Sequence, residues 1–216
     1  MTQYMAHSSR MEPIRFHFDF VSPYSYVAWS QVHALGDRVG RRIEPVPFLL
    51  GAVLKAAGSP APAFIRPKAR YILKDCARKA RAAGVPFELP SPFPFSSLLA
   101  LRVASLDMSP DERRALIDRL YRLAWGGGPS LADKSTVARA VAEVGLPASL
   151  VGAAESDAAK ARVRAQTDAA VAAGAFGSPT LFVDGELFFG LDSYPIIERV
   201  LAGDDVPRET FARWGV

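Results

Sequence analysis

The sequence predicts an α/β domain whose sheet is built from both ends of the chain and is interrupted by an all-helical insertion. A strand, a helix and a second strand are indicated between residues 14 and 47. Two more strands are indicated between residues 180 and 189, and the long segment between these units has mainly helical periodicity. Because a strand–helix–strand unit forms a right-handed crossover, we expect the first two strands to pair in parallel.

The N-terminal unit is indicated by apolar alternation and by helix-capping residues. Apolar and polar residues alternate over residues 14–20, which is typical of a strand with one buried face. Ser22 is a good N-cap and Pro23 a good first helical residue, so we predict a helix from there to about Arg38. A second strand is predicted over residues 43–47.

The middle of the chain is predicted to be helical. Ser109 and Glu112 form a capping-box pattern with a proline in the first turn, which marks the start of one helix. The loops between helices are rich in proline and glycine. The predicted helices span residues 66–83, 97–107, 110–125, 134–144 and 157–173.

The C-terminal end is predicted to be a hairpin followed by a helix. Asp184 and Gly185 lie between two apolar runs, residues 180–183 and 186–189, and this is a strong signal for a two-residue turn. A helix over residues 193–201 closes the fold. We therefore divide the chain into three units. Residues 1–13 form a flexible leader, residues 14–50 and 174–216 form the α/β domain, and residues 51–173 form the helical insertion.

Composition excludes several classes of protein. Apolar residues make up 50% of the chain and charged residues 22%, which supports a real core and excludes global disorder. A net charge of +4 gives no argument for nucleic-acid binding. The single cysteine, Cys76, excludes an internal disulfide and any Cys-x-x-Cys site. The N-terminus lacks the basic and apolar regions of a signal peptide, so we expect a cytoplasmic protein.

Two positions carry residues suited to chemistry. Ser22 lies at a strand-to-helix junction, where free backbone N–H groups and the helix dipole favour a thiolate or another anion. Pro179 follows Ser178 directly before the hairpin, where a cis peptide bond is a reasonable expectation. Taken alone, Ser22 is an ordinary N-cap and Pro179 an ordinary strand-start proline.

Together these two positions resemble the thioredoxin-like fold, in its disulfide-oxidoreductase branch with a helical insertion. In that branch a Cys-Pro-x-Cys motif opens the first helix and faces a cis-proline loop. Here residues 22–25 read Ser-Pro-Tyr-Ser, so both cysteines are replaced by serine. Thiol–disulfide exchange needs an attacking thiolate, and that chemistry is therefore not available to this chain.

A closer resemblance is to the 2-hydroxychromene-2-carboxylate isomerases and the similar kappa-class glutathione transferases. It covers nearly the whole chain after residue 13. The matching positions are residues 18–26, 45–51, 98–102, 174–180 and 190–192, with Pro67, Lys68, Tyr71 and Asp75. Each match is weak alone, but their order around a Ser-Pro-x-Ser motif is a strong signal.

The resemblance implies a thioredoxin-like domain with an all-helical insertion and a glutathione site between them. It implies that Ser22 hydrogen-bonds the glutathione sulfur and that Ser178 and Pro179 pair with the backbone of its cysteine. It further implies that Asp192 binds the γ-glutamyl end and that Lys68 reaches the glycyl end.

Some positions depart from the family pattern. Ser59 and Ser96 stand where relatives often have Asn, and Ser193 stands where they often have Arg after the aspartate. Leu191 replaces a polar residue of some members. We assign Ser59 and Ser193 to the glutathione site, and each of these departures removes a polar contact in or near it.

The implied activity is glutathione-dependent isomerisation of an aromatic ring-cleavage product. Addition of the glutathione thiolate to the chromene, ring opening, bond rotation and elimination would regenerate glutathione, which then serves as a cofactor. The resemblance also implies a small aromatic carboxylate as substrate and a homodimer. The three histidines form no metal constellation, the basic run 66–81 lacks a series of interleaved aromatic residues for stacking, and no apolar stretch is long enough to span a membrane. We therefore expect no metal and no nucleic-acid or membrane partner.

Three alternatives stay open. The first is a kappa-like transferase or peroxidase that releases a glutathione adduct or reduces peroxides. The second is a non-catalytic thioredoxin-like scaffold that binds a peptide at the proline loop. The third is a nucleic-acid binder that uses the basic residues 66–81, although a solvated helix face explains most of these charges.

Overall fold

The structure is a computed structural model, and residues 11–215 are described. Most of the predicted leader, residues 1–13, lies outside them. The strands are β1 (Ile14–Phe18), β2 (Ile43–Pro47), β3 (Thr180–Val183) and β4 (Glu186–Phe189). The helices are α1 (Pro23–Val39), α2 (Leu50–Ala56), α3 (Arg66–Ala82), α4 (Leu98–Ser105), α5 (Pro110–Trp125), α6 (Lys134–Glu143), α7 (Ser149–Ala153), α8 (Asp157–Ala172), α9 (Tyr194–Leu201) and α10 (Arg208–Trp214).

The four strands form one mixed sheet in the order β2-β1-β3-β4. The strands β1 and β2 are parallel, as the sequence predicted, while β3 is antiparallel to both β1 and β4. His17 pairs with Thr180, so the end of β1 lies beside the start of β3. This register brings the segment after β1 and the loop before β3 to the same end of the two central strands.

The central strand and α1 share an aromatic core. Phe16 and Phe18 are fully buried on the face of β1 that packs against Trp29 of α1 and Tyr121 of α5. Burying a large apolar side chain contributes about 1.5–3 kcal/mol, so this contact fixes the position of α1 on the sheet. The N-terminus of α1 is thereby held at the end of β1.

The predicted hairpin and capping residues are present. Asp184 and Gly185 both have left-handed backbone conformations, with φ of 49° and 88°, which a two-residue hairpin turn requires. Ser109 and Glu112 form the reciprocal capping box at the start of α5. The predicted first strand ends at Phe18 rather than at residue 20, because Asp19 begins a turn closed by a hydrogen bond from the backbone N–H of Ser22.

Seven α-helices lie between β2 and β3 within the described residues. The predicted helices over this segment are present, with ends that differ by at most two residues. The short helices α2 and α7 were not predicted. The first turn of α2 has no capping side chain of its own; instead Leu50 N–H donates to Asp19 Oδ2 at 3.0 Å, and Leu49 N–H donates to Thr167 Oγ1 at 3.0 Å.

The chain past β4 forms two more helices. The predicted C-terminal helix is present as α9, and α10 was not predicted. Within residues 11–215, the helices are too short or too polar to cross a bilayer.

Candidate active site

The candidate site lies at the carboxyl end of β1, where α1 begins and where the loop before β3 arrives. Two groups of side chains occupy this region. The first, here called the serine cluster, comprises Asp19, Ser22, Ser25, Ser97 and Ser178, and all five residues are buried. The second, here called the rim group, is more exposed and comprises Tyr24, Asp75, Lys79 and Asp192.

Ser22 links α1 to the loop before β3. Its Oγ accepts a hydrogen bond from Ser25 N–H at 3.2 Å, so it caps α1 as predicted. The same hydroxyl donates to the backbone carbonyl of Ser178 at 3.1 Å. The peptide bond between Ser178 and Pro179 is cis. The structure therefore brings together three of the predicted site residues, Ser22, Ser178 and Pro179.

The hydroxyls of Ser25 and Ser178 lie 2.6 Å apart, and Ser25 is fully buried. One turn into the helix, Ser25 is expected to be structural. Its contact with Ser178 is an internal hydrogen bond of the cluster, which supports the structural role.

Asp19 joins the cluster to the rest of the fold. Its backbone N–H donates to Ser178 Oγ at 3.2 Å. Its carboxylate accepts hydrogen bonds from Ser97 Oγ at 2.5 Å, from Val21 N–H at 3.1 Å and from Leu50 N–H at 3.0 Å. Burial raises the pKa of Asp19, and these three hydrogen bonds act in the opposite direction.

Sequence reasoning missed Asp19 and Ser97 as parts of the site. One signal points to Asp19, because it is an acidic residue among aromatic residues at the end of a buried strand. Ser97 carried no signal, because its partner lies 78 residues away.

The rim group connects α1, α3 and the turn after β4. Tyr24 OH donates to Asp75 Oδ2 at 3.0 Å, and Lys79 Nζ lies 3.0 Å from the same oxygen. Lys79 Nζ also donates to Asp192 Oδ2 at 3.0 Å and lies 5.3 Å from the centroid of the Tyr24 ring. The side chain of Asp192 is 79% exposed and that of Lys79 is 26% exposed.

Burial and neighbouring carboxylates shift the pKa of Lys79 in opposite directions, and they shift the pKa of Tyr24 in the same direction. Burial alone would lower the pKa of Lys79, but its contacts with Asp192 and Asp75 outweigh burial and raise that pKa. Burial, together with the hydrogen bond to Asp75, raises the pKa of Tyr24. At neutral pH the group therefore contains a lysine ammonium and a neutral phenol.

The remaining predicted site residues are placed differently. Asp192 does not cap α9, whose N-cap position is occupied by Ser193 without a side-chain capping bond. Ser193 Oγ instead donates to the carbonyl of Gly190 at 2.7 Å. Ser59 and Lys68 are exposed, and their side chains contact neither the serine cluster nor the rim group through a hydrogen bond. The structure thus connects Asp192 to α1 through Lys79, and leaves Ser59 and Lys68 outside both groups.

Other features of the described surface lie away from this region. A cleft of about 780 Å³ beside the carboxyl-terminal half of α1 is lined by His33, Arg113, Arg162 and others, and it contains none of the predicted site residues. Among residues 11–215, no three His, Cys, Asp or Glu side chains are grouped so that they could hold a metal ion.

Comparison with known proteins agrees with this architecture. The DSBA-like thioredoxin domain family matches residues 13–202. A 2-hydroxychromene-2-carboxylate isomerase of Sphingobium xenophagum is 31% identical over 191 residues, which cover 87% of this chain and 97% of the relative. Glutathione S-transferase kappa 2 of Caenorhabditis elegans is 28% identical over 209 residues, covering 88% of this chain and 91% of the relative.

A solved structure of a 2-hydroxychromene-2-carboxylate isomerase superposes with a TM-score of 0.80 at 26% identity, covering 88% of this chain and 94% of that one. The family match, the identity and the shared fold extend over most of the chain and include both halves of the site. The chain therefore belongs to the DSBA-like thioredoxin domain family, in its branch of 2-hydroxychromene-2-carboxylate isomerase-like enzymes.

Proposed function

We propose that the protein is a glutathione-dependent isomerase of an aromatic ring-cleavage product of the 2-hydroxychromene-2-carboxylate type. The observation that carries this proposal is the hydroxyl of Ser22, which lies at the N-terminus of α1 and is hydrogen-bonded to the Ser178 carbonyl. A hydroxyl donor at a helix N-terminus can stabilise a thiolate that a ligand supplies. The names of the relatives at 28–31% identity support the reaction class.

The residues present fit glutathione as the source of that thiolate. The only cysteine of the chain, Cys76, is buried in α3, so the thiol must come from a bound molecule. When bound, glutathione supplies a nucleophilic thiolate that is regenerated at the end of the cycle. Ser22 stabilises that negative charge, and it acts together with the dipole of the 17-residue helix α1.

When a ligand thiolate binds, the Ser22 hydroxyl and the Ser178 carbonyl each change their hydrogen-bond partner. The Ser22 hydroxyl has one proton, which it now donates to the Ser178 carbonyl at 3.1 Å. To donate to a sulfur, this hydroxyl must turn away and leave the carbonyl without a partner. A peptide N–H of the bound ligand restores that bond, so that binding and thiolate stabilisation are coupled.

The other predicted contacts complete the site. Asp192 presents an exposed carboxylate for the γ-glutamyl end, and Lys68 presents an exposed ammonium group at the first turn of α3 for the glycyl carboxylate. Following the family resemblance, we also assign the short polar side chains of Ser59 and Ser193 to the glutathione site. We propose that the aromatic acceptor binds in a cleft between the α/β domain (residues 14–50 and 174–216) and the helical insertion (residues 51–173).

An isomerisation assay with and without glutathione tests the proposal. We expect turnover of a 2-hydroxychromene-2-carboxylate only when glutathione is present, with the glutathione recovered unchanged. A lack of glutathione binding at millimolar concentration would contradict the proposal and favour a peptide-binding scaffold.

A second candidate function is a kappa-like glutathione transferase. The match to the kappa transferase of Caenorhabditis elegans over 88% of this chain supports it. The two functions share the site but differ in product, because a transferase releases a glutathione adduct. Accumulation of the adduct in the same assay would therefore favour the transferase.

We further propose that the protein acts in the cytoplasm as a homodimer, with no nucleic-acid partner. The resemblance to the isomerase branch supports the dimer, and a chain with one free cysteine suits a reducing compartment. Sedimentation analysis tests the dimer. A mobility-shift titration tests the basic helix α3, where tight salt-sensitive binding of RNA or DNA would contradict the proposal.

A further inference from the structure

The ion pair between Lys79 and Asp192 leaves two polar groups unused and side by side. Lys79 Nζ has three N–H donors and is approached by two carboxylates, those of Asp75 and Asp192, each at 3.0 Å. At least one donor is therefore free. On Asp192 only Oδ2 takes part in the pair, and Oδ1 accepts no hydrogen bond from a described residue.

The position of this pair is fixed from α1. Lys79 lies over the ring of Tyr24, and Tyr24 is tied through its hydroxyl to Asp75, which in turn holds Lys79. Tyr24 is two residues beyond Ser22 on the same helix. The pair is therefore held close to the N-terminus of α1, although its two members lie 113 positions apart in sequence.

Among the described residues, Lys79 is the cation that forms an ion pair with Asp192. The neighbouring Ser193 has no charge, and its hydroxyl is turned to the carbonyl of Gly190. The family resemblance places an arginine at that position in many relatives. In this chain the positive charge beside the aspartate comes instead from α3.

The free acceptor, Asp192 Oδ1, and the free donor, an N–H of Lys79, lie side by side and carry opposite charges. This arrangement is complementary to the ammonium and carboxylate groups of an α-amino acid. The ammonium of such a group can bind Asp192 Oδ1 while its carboxylate binds the free N–H of Lys79. A simple cation would leave the free N–H of Lys79 without a partner. A simple anion would leave Asp192 Oδ1 without a partner and would lie beside two carboxylates. A zwitterion satisfies both members of the pair and adds no net charge.

We propose that Lys79 and Asp192 together bind the α-amino-acid end of the γ-glutamyl group, with Lys79 holding its α-carboxylate. This inference rests on the proposed use of glutathione and adds a residue, Lys79, that the family pattern does not provide at this position. Lys79 acts here as a specificity-determining binding residue. It selects ligands that carry both charges of the amino-acid group.

Calorimetric titration of the purified protein tests this inference. The ligands are glutathione and an analogue with a 4-aminobutyryl group in place of γ-glutamyl, which lacks only the α-carboxylate. We expect Lys79→Met to weaken glutathione binding about tenfold and to leave the analogue unchanged. Lys79→Arg should retain most of the affinity. Lys74→Met is the matched control, since Lys74 is exposed on the same helix and forms no ion pair with a described residue.

A second variant keeps the test decisive if Lys79→Met folds poorly, which thermal unfolding would reveal. Asp192→Asn changes an exposed side chain and should weaken glutathione about tenfold, but not a glutaryl analogue that lacks the ammonium group. Equal losses in Lys79→Met and Lys74→Met, or equal wild-type affinity for glutathione and both analogues, would overturn this inference alone. A wild-type protein that fails to bind glutathione would overturn the proposed function and this inference with it.

Discussion

The hydroxyl groups of Ser25 and Ser178 lie 2.6 Å apart, although 153 residues separate them in sequence. Ser22 and Asp19 bond to the same loop residue, through its carbonyl and its hydroxyl respectively. The N-terminus of α1 and the loop before β3 are therefore one hydrogen-bonded unit. Serine at positions 22 and 25 keeps this unit together by hydrogen bonds.

Replacing Ser22 by alanine separates its capping role from its role in the site. The variant loses a cap, which costs about 1 kcal/mol of stability, and it loses the proposed thiolate donor. Loss of one such donor typically lowers turnover about a hundredfold. We expect Ser22→Ala to show both losses, measured by denaturant unfolding and by the isomerisation assay.

Ser156 provides a matched control for this prediction. Its Oγ accepts from Ala159 N–H at 3.2 Å and donates to the Ala153 carbonyl, the same bonding pattern that Ser22 has with Ser25 and Ser178. Ser156→Ala should therefore also lose a helix cap, with a smaller loss of stability because Ser156 is exposed and Ser22 is buried, and it should keep full activity. Equal activity of the two variants would mean that Ser22 is a cap and nothing more.

Local sequence signals were enough to predict much of the fold. The Ser22 cap, the capping box at Ser109 and the Asp184–Gly185 turn depend on residues within a few positions of one another. For the same reason the strand–helix–strand unit and most of the longer helices could be predicted. The resemblance to a family supplied the pairing of Ser22 with the proline loop, which lies 156 residues away.

Contacts between distant residues could not be predicted in this way. The helix α2 begins without a cap of its own because the Asp19 carboxylate, 31 residues earlier, accepts from Leu50 N–H. Lys79 lies in the basic run 66–81, where a solvated helix face explains most of the charges, and its partner Asp192 is remote in sequence. Such contacts follow from the register of the sheet and the packing of α3, which no short pattern encodes.

Replacing Asp19 by asparagine is expected to destabilise the whole serine cluster. The carboxylate accepts three hydrogen bonds, and an asparagine would turn one acceptor into an NH₂ group facing a donor. Leaving buried donors unsatisfied costs about 1–3 kcal/mol each, so we expect a loss of about 2–4 kcal/mol. Ser97→Ala removes one of the three bonds and should cost about 1 kcal/mol. Denaturant unfolding of both variants tests this, and a smaller loss for Asp19→Asn than for Ser97→Ala would contradict it.

His17 makes the stability of the fold depend on pH. Burial between the rings of Phe48 and Phe182 lowers the pKa of His17 from 6.5 to about 4. Between these two values the unfolded chain binds a proton that the folded chain excludes, so stability is complete above about pH 6.5 and falls as the pH drops toward 4. The shift corresponds to about 3 kcal/mol.

Denaturant unfolding between pH 4 and 7 measures this dependence. His17→Phe keeps an aromatic ring in the same place and should flatten the curve by most of that amount. His33→Gln is the comparison, because burial and the charge of Arg114 also lower the pKa of His33, but that residue is only half-buried. A slope that is unchanged in His17→Phe would show that His17 is not the group responsible.

The thiol of Cys76 is expected to be inert in the folded protein. Burial, with a smaller effect from the charge of Asp75, raises the pKa of Cys76 to about 12, and the side chain is fully buried. At pH 8 the thiolate fraction is about one in ten thousand, against about a quarter for a free cysteine. A thiol reagent should therefore modify Cys76 only as fast as the protein unfolds.

Replacing Cys76 tests whether the sulfur of the proposed reaction belongs to the protein or to a ligand. With Ser22 and Ser25 in the motif, Cys76 is the one thiol that the chain itself contains. Cys76→Ala should therefore retain glutathione-dependent isomerisation, after correction for about 1 kcal/mol of lost packing. Rapid modification of native Cys76, or loss of turnover in a folded Cys76→Ala variant, would instead place the nucleophile on α3 and remove Ser22 from the centre of the mechanism.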